Sequence, residues 1–278
     1  MPDTPLRARS LLFVPGGRAD LISKVPRFAP DVVVLDLEDA IAAADKEDAR
    51  AVAVSALAEF DPGLGTTVLV RVNPVATPWF AADVAAVADS PASGVVLPKL
   101  ERRSELDDLF GALARHGRAD ALVVAGLETG LGVADARALL PGVTACYFGA
   151  EDYVADVGGH RTPGGLEVLY ARSQVSLAAH LAGVVALDQA VVHLDDDAHF
   201  TADADAGAAM GYQGKICIHP RQVELCHEVF TPTDAEVVHA RSTLAAGAAG
   251  VAVVDGAMID EVHLRMARAV LGRAGEVP

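Results

Sequence analysis

The chain has 278 residues, 52% hydrophobic and 22% charged, enough to bury a large core as one α/β barrel or two smaller domains. Its formal net charge of −16 argues against nucleic acid as a partner, because phosphate binding needs a basic surface. The three cysteines, Cys146, Cys217 and Cys226, lie in or near apolar runs, which suits buried thiols rather than a disulfide framework. Cys217 and His219 have no second pair to complete a zinc pattern. No apolar run reaches the roughly 18 residues of a membrane span, and the first ten residues do not read as a signal peptide. No membrane association and a cytoplasmic location are expected.

In chain order, Ser10 to Pro15 is a continuous apolar run closed by Gly16 and Gly17, the pattern of a buried parallel strand and a turn. Arg18 to Phe28 reads as a helix that Pro26 ends or kinks. Asp31 to Asp39 is the next strand, ending in acids, and Asp45 to Phe60 an amphipathic helix. A third strand, from Thr67 to Asn73, carries Arg71 near its end, and a helix follows from Phe80 to Ala88. Gly94 to Lys99 is a strand, and Ser104 to His116 a helix with Ser104 as its N-cap. Leu122 to Leu127 is an apolar strand closed by Glu128, and Val133 to Leu140 a helix. Thr144 to Tyr153 reads as a short apolar strand that ends abruptly in the carboxylates Glu151 and Asp152, and Gly165 to Ala182 is helical. Strand Val185 to Leu194, helix Ala202 to Met210 and strand Lys215 to His219 complete eight strand-helix units with the helix near Arg221.

Strands alternating with helices imply a parallel sheet, and eight units fit the (β/α)₈ TIM barrel, whose site lies at the carboxyl ends of the strands. Arg18, Glu38, Asp39, Arg71, Lys99, Glu128 and Asp152 all fall at such ends. A doubly wound sheet is the alternative, but the glycine-rich dinucleotide fingerprint is missing. Beyond the barrel the reading is a helix from Asp234 to Ala246, a hairpin around Asp255-Gly256, and a helix from Glu261 to Leu271. The expected division is a barrel domain of residues 1–230 and a helix-hairpin-helix extension of residues 231–278.

Acids on two consecutive strands suggest a hard-cation site, with Glu128 and Asp152 holding one Mg²⁺ that keeps waters for a substrate to displace. Helix capping is the plainer reading of any single strand-end acid. Glu38 and Asp39 are catalytic candidates as acceptors for metal-bound waters, with helix capping again the alternative. Arg71 is either a partner for a nearby carboxylate or a planar clamp for a substrate carboxylate. Lys99 meets the same acids or stays solvated. His219 is a general-base candidate, with a satisfied core histidine the commoner outcome. No Gly-x-Ser-x-Gly elbow supports a serine hydrolase.

The ordered series Ser10-Leu11-Leu12-Phe13-Val14-Pro15-Gly16, Asp36-Leu37-Glu38-Asp39-Ala40, Val70-Arg71-Val72-Asn73, Leu97-Pro98-Lys99, Glu128-Thr129, Gly149-Ala150-Glu151-Asp152-Tyr153, Tyr170-Ala171-Arg172-Ser173 and Ile218-His219-Pro220-Arg221-Gln222 resembles the citrate lyase beta-subunit family along nearly the whole chain. The resemblance implies a (β/α)₈ barrel that cleaves 3-hydroxyacyl thioesters such as malyl-, citramalyl- or citryl-coenzyme A, releasing an acyl-coenzyme A and a keto acid. It implies that Arg71 holds the substrate carboxylate and that Glu128 and Asp152 bind Mg²⁺. Asp255 to Asp260 is similar to the family's tail segment, which makes Asp260 the inferred proton-transfer residue, acting in a neighbouring subunit of a homo-oligomer, a trimer or hexamer. Coenzyme A phosphates need local cations, for which Arg18 and Lys24 are the candidates. Two rival readings stay open here: a metal-dependent aldolase acting on free hydroxy-keto acids, and a non-catalytic barrel that binds acyl thioesters or serves as a scaffold. Free coenzyme A and an acyl carrier protein are equally open as the thioester's carrier.

Overall fold

The computed structural model describes residues 6–60, 65–247, 252–254 and 257–276. They form two compact units, Met1–His227 and Glu228–Pro278.

In the first unit the elements are β1 (Ser10–Pro15), α1 (Ala19–Ile22), β2 (Val32–Asp36), α2 (Lys46–Glu59), β3 (Thr67–Arg71), α3 (Phe80–Ala88), β4 (Gly94–Leu97), α4 (Arg103–Arg115), β5 (Leu122–Leu127), α5 (Gly130–Ala134), α6 (Ala136–Leu139), β6 (Ala145–Phe148), α7 (Ala150–Asp156), α8 (Leu166–Ala182), β7 (Val185–Asp188), α9 (Asp197–Ala209) and β8 (Gly214–Cys217). The next helix, α10 (Pro220–Phe230), begins here. The eight strands pair in sequence order, all parallel, and β1 closes on β8 through Ser10↔Lys215 and Leu11↔Ile216. This is the (β/α)₈ barrel.

Strands covered on both faces are apolar throughout, and β2 is the clearest case, with all five residues buried. Alternate residues of the strands, including Leu11, Val34, Leu69, Val96, Val124, Tyr147 and Leu187, fill the barrel interior. Beside β7 and β8, Arg172 bonds Asp188 at 2.8 Å and Asp203 at 3.0 Å, and Lys215 bonds Asp188 at 3.0 Å. This buried network ties α8 and α9 to the strands.

The local differences from the sequence reading have local causes. The expected helix Arg18–Phe28 is broken into α1 and a 3₁₀ turn over Val25–Phe28, with Pro26 in its first turn. The N-cap of α4 is Arg102, not Ser104, and the Glu105 carboxylate accepts the backbone N–H groups of Glu101 and Arg102 at 3.0 and 3.1 Å. The helix expected over Val133–Leu140 is the two short helices α5 and α6. The seventh strand stops at Asp188, well before Leu194, and α9 starts earlier than expected because the Asp196 carboxylate caps it, accepting from the His199 N–H at 2.9 Å.

The second unit contains α11 (Asp234–Gly247), the antiparallel pair β9 (Ala252–Val254) and β10 (Ala257–Ile259), and α12 (Glu261–Arg273). The expected Asp255-Gly256 turn lies outside the described residues. Ala240 of α11 packs with Ala267 and Leu271 of α12, flanked by Val237, Leu244 and Val270. The last helix therefore has a partner within its own unit.

Candidate active site

Each parallel strand delivers its last residues to the same end of the barrel. Asp36 is the last residue of β2 and Arg71 the last of β3, aligned in register. Glu38 and Asp39 follow β2, Lys99 follows β4, and Glu128 follows β5. Asp152 differs from the sequence reading, since β6 stops at Phe148 and Asp152 sits in the first turn of α7.

The centre is an ion-pair network. Both oxygens of Asp36 accept from Arg71, from Nε at 2.7 Å and from Nη2 at 2.8 Å, while Nη1 lies 3.1 Å from Glu38. Asp36 also accepts the N–H groups of Glu38 and Ala40 at 2.9 and 3.1 Å, which shapes the turn carrying Glu38 and Asp39. The ring of Phe13 lies under the guanidinium, 4.9 Å from its centre. Burial works against the Arg71 charge, but Asp36 and Glu38 outweigh it and keep the arginine firmly protonated. Arg71 thus has the structural carboxylate partner and a place on the cavity wall at once.

Lys99 joins the remaining acids. Its ammonium bonds Glu38 and Asp39, the latter at 2.9 Å, and lies 3.6 Å from Asp152. Burial opposes this charge too, and the hydrogen bonds to Glu38 and Asp39 more than offset it. The backbone of Lys99 is left-handed, φ 49°, and its N–H donates to Glu128 at 2.7 Å. A non-glycine residue held there stores strain of roughly 1–3 kcal/mol, a feature concentrated at functional sites.

Glu128 is 1% exposed. Its carboxyl is pushed up to about 7, chiefly by burial and further by the charges of Asp152 and Glu38, against the pull of Arg71 and Lys99. Gly149 makes room for it, since a Cβ there would overlap the Glu128 side chain. A cavity of about 440 Å³ opens at this end, lined by Phe13, Asp36, Asp39, Arg71, Glu128, Tyr147 and Asp152 among others.

The carboxyl groups of Asp36, Glu38, Asp39, Glu128 and Asp152 outnumber the two cations Arg71 and Lys99. A divalent ion fits this local excess. Among the described residues no cluster of three or more His, Cys, Asp or Glu side chains forms a closed metal cage. Two carboxylates leave an octahedral ion with positions for water and substrate, as suits Mg²⁺ and unlike a structural zinc site. Such an ion binds the ionised carboxylate, so with Glu128 as a ligand Mg²⁺ would have to displace its proton below about pH 7. The expected result is an affinity flat above that pH and falling towards tenfold per pH unit below it. Calorimetry in buffers of different ionisation enthalpy checks this: about one proton released at pH 6 and none at pH 8.5. A pH-independent affinity would remove Glu128 as a ligand.

Other sequence candidates stand apart from this cluster. Arg18 bonds Asp20 at 2.7 Å, and Lys24 lies 3.9 Å from the same carboxylate, both exposed. His219 is exposed, not a core histidine, and its Nδ1 accepts the Arg221 N–H at 3.2 Å. In the second unit Asp260 caps α12, accepting from the Val262 N–H at 3.0 Å and pairing with His263 at 2.8 Å. The His263 bond holds its carboxyl below the ordinary range. The sequence reading gave no separate place to Asp36, which fixes Arg71, or to Tyr147, which lines the cavity. For Asp36 the signal was its place as the last polar residue of an otherwise apolar strand, level with Arg71.

The closed barrel and its acidic mouth define a (β/α)₈ protein with a rim suited to a divalent cation. Residues 9–220 match the model of the HpcH/HpaI aldolase/citrate lyase family, and the chain belongs to that family, with citrate lyase beta-subunit-like relatives. A citrate lyase subunit beta-like protein of Deinococcus radiodurans is 50% identical over 280 residues, covering 96% of this chain and 97% of its own. A (3S)-malyl-CoA thioesterase of Cereibacter sphaeroides is 31% identical over 274 residues, covering 96% of this chain and 94% of its own. The crystal structure of the CitE protein of Mycobacterium tuberculosis in complex with magnesium, acetoacetate and coenzyme A matches with a TM-score of 0.83 at 31% identity. It covers 97% of this chain and 99% of that one. Among the described residues no helix is long and apolar enough to cross a membrane.

Proposed function

We propose that this protein is a Mg²⁺-dependent carbon–carbon lyase that cleaves a 3-hydroxyacyl thioester of the malyl-, citramalyl- or citryl-coenzyme A kind to an acyl-coenzyme A and a 2-oxo acid. The observation that carries the reading is the buried Glu128, with Asp152 and Arg71 on the wall of the same cavity at the carboxyl end of the barrel. The relative that holds magnesium, acetoacetate and coenzyme A supports it.

Glu128 and Asp152 would hold the ion, which supplies Lewis-acid polarisation of the hydroxyl and carboxylate oxygens of the substrate. Arg71, fixed by Asp36, keeps donors on Nη1 and Nη2 for a substrate carboxylate and sets its orientation. The C3 hydroxyl passes its proton through a water at the mouth to solvent, C3 becomes the carbonyl of the 2-oxo acid as the C2–C3 bond breaks, and the electron pair of that bond passes into the thioester as an enolate. Glu38 and Asp39 are placed to accept hydrogen bonds from waters at the mouth, with Lys99 offsetting their charge. C2 then takes a proton from Asp260, whose carboxyl must enter a drier site than it has in its own unit to hold one. In this reading that site belongs to a neighbouring copy in a trimer or hexamer, and Arg18 and Lys24 meet the coenzyme phosphates.

Purified protein with Mg²⁺, offered several 3-hydroxyacyl-coenzyme A thioesters, should release a 2-oxo acid and an acyl-coenzyme A in equal amounts. Free coenzyme A released without carbon–carbon cleavage would make the protein a thioesterase and overturn the reading. The shared site makes a separate demand. Glu128→Ala and Asp260→Asn should each be inactive, and their mixture should regain activity after subunit exchange, since some sites then combine an intact metal pair with an intact tail. Asparagine keeps the helix cap, so loss of activity would not reflect a frayed α12. Demonstrated exchange without recovery, or an active monomer, would return Asp260 to its own chain or exclude it.

A further inference from the structure

Side chains alternate along β6, which sends Tyr147 into the barrel interior with Leu11, Val34 and Val124. Its ring stands edge-on to Phe13 with centroids 5.9 Å apart, and Phe13 also underlies Arg71. Tyr147 thereby lines the reaction cavity, as Arg71 and Glu128 do. Gly126 admits it, because a Cβ there would overlap the hydroxyl oxygen and crowd Glu128. Tyr147 is 1% exposed; the Arg71 guanidinium approaches its hydroxyl oxygen as a donor, and the O–H itself has no acceptor among the described residues. A buried O–H without an acceptor is costly, and a position built only for packing would carry phenylalanine.

We infer that Tyr147 is a substrate-binding residue whose O–H donates to the carboxylate that Arg71 receives. The inference rests on the functional reading above and adds a specificity contact to it. A planar carboxylate offers one oxygen to the guanidinium and another to the phenol. The thioester arm is too long for the floor of a filled barrel and must leave through the mouth, so the acid end of the substrate is the part that reaches Tyr147.

Tyr147→Phe removes the hydroxyl and keeps the ring packed on Phe13. Calorimetric titration with glyoxylate, pyruvate and oxaloacetate in the presence of Mg²⁺ should show the favoured acid binding about tenfold weaker or more in the variant. Mg²⁺ affinity and acetyl-coenzyme A binding should not change. Metal-free Tyr147→Phe should unfold at the same temperature as wild type or higher, since it loses only an unpaired donor. Unchanged oxo-acid binding overturns the inference, as does a lower unfolding temperature, which would make the hydroxyl structural. Weakened acetyl-coenzyme A binding with intact oxo-acid binding also overturns it, by moving the contact to the thioester. Wild-type protein that binds no oxo acid overturns the functional reading and this inference together. Wild-type binding with an unchanged variant overturns the inference alone.

Discussion

Glu128→Ala is expected to abolish Mg²⁺-dependent turnover and leave the barrel folded. The side chain contributes little to packing that a barrel needs, because it lies beyond the end of β5 and outside the interior layers. Its removal leaves the Lys99 N–H without an acceptor, at a cost of about 1–3 kcal/mol. It also deletes a buried carboxyl that its surroundings already push towards neutrality, which offsets part of that cost. The net change in unfolding temperature should therefore be a few degrees at most. The metal response separates a folded, metal-blind variant from a damaged one. Saturating Mg²⁺ at about a hundred times its dissociation constant stabilises a binding protein by about 2.7 kcal/mol, and the variant should show none of this. Full activity of chelator-treated wild type, or Mg²⁺ stabilisation of Glu128→Ala equal to that of wild type, would refute the metal assignment.

Arg71→Lys is expected to lower kcat/KM by about a hundredfold or more. The substitution preserves the charge and removes the planar fork. In the structure that fork is committed on one edge to Asp36, and this fixes the direction of the donors that remain. An ammonium on a flexible stem can satisfy Asp36 or a substrate carboxylate, but cannot hold both in one plane. Asp36 is buried, so the variant should also lose stability, and thermal unfolding must be read beside the kinetics. Repeating the assay well below the variant's unfolding temperature removes that contribution. Kinetics unchanged with every thioester that wild type cleaves would take Arg71 out of the site. A loss of activity that disappears under the stabilising condition would reduce it to a structural partner of Asp36.

The barrel was legible because its signal is local and repeated. Runs such as Val32-Val33-Val34-Leu35 are apolar on both faces, as only a strand covered by helices on one side and by the core on the other requires. Eight such runs, each followed by a helical stretch, leave few topologies. The strand-end residues Glu38, Asp39, Arg71, Lys99 and Glu128 were legible for the same reason, since strand polarity sends every last residue to one rim. Element ends were less legible. Whether Leu194 continues β7 or lies in a loop depends on how many rungs the neighbouring strands offer, and the last pair is Asp188↔Lys215. Ser104 looked like a cap by residue type, yet Glu105 reached the free N–H groups first.

By itself the sequence determined the eight strands and their order, the end of the barrel that carries the polar residues, and the acidic balance that calls for a cation. Those properties follow from composition and period, which act over a few neighbours. Tertiary structure alone decided which charges meet. The Asp36–Arg71 pair spans 35 residues, and the Lys99–Glu38 pair 61. The same holds for the pressure on Glu128, which comes from burial and from the charges of Asp152 and Glu38 against the pull of Arg71 and Lys99. The buried Tyr147 O–H, which has no acceptor among the described residues, is likewise invisible in an apolar run, where tyrosine reads as one more large side chain. Packing also decided that α12 rests on α11, because a helix's apolar stripe states that it needs a partner and not which one.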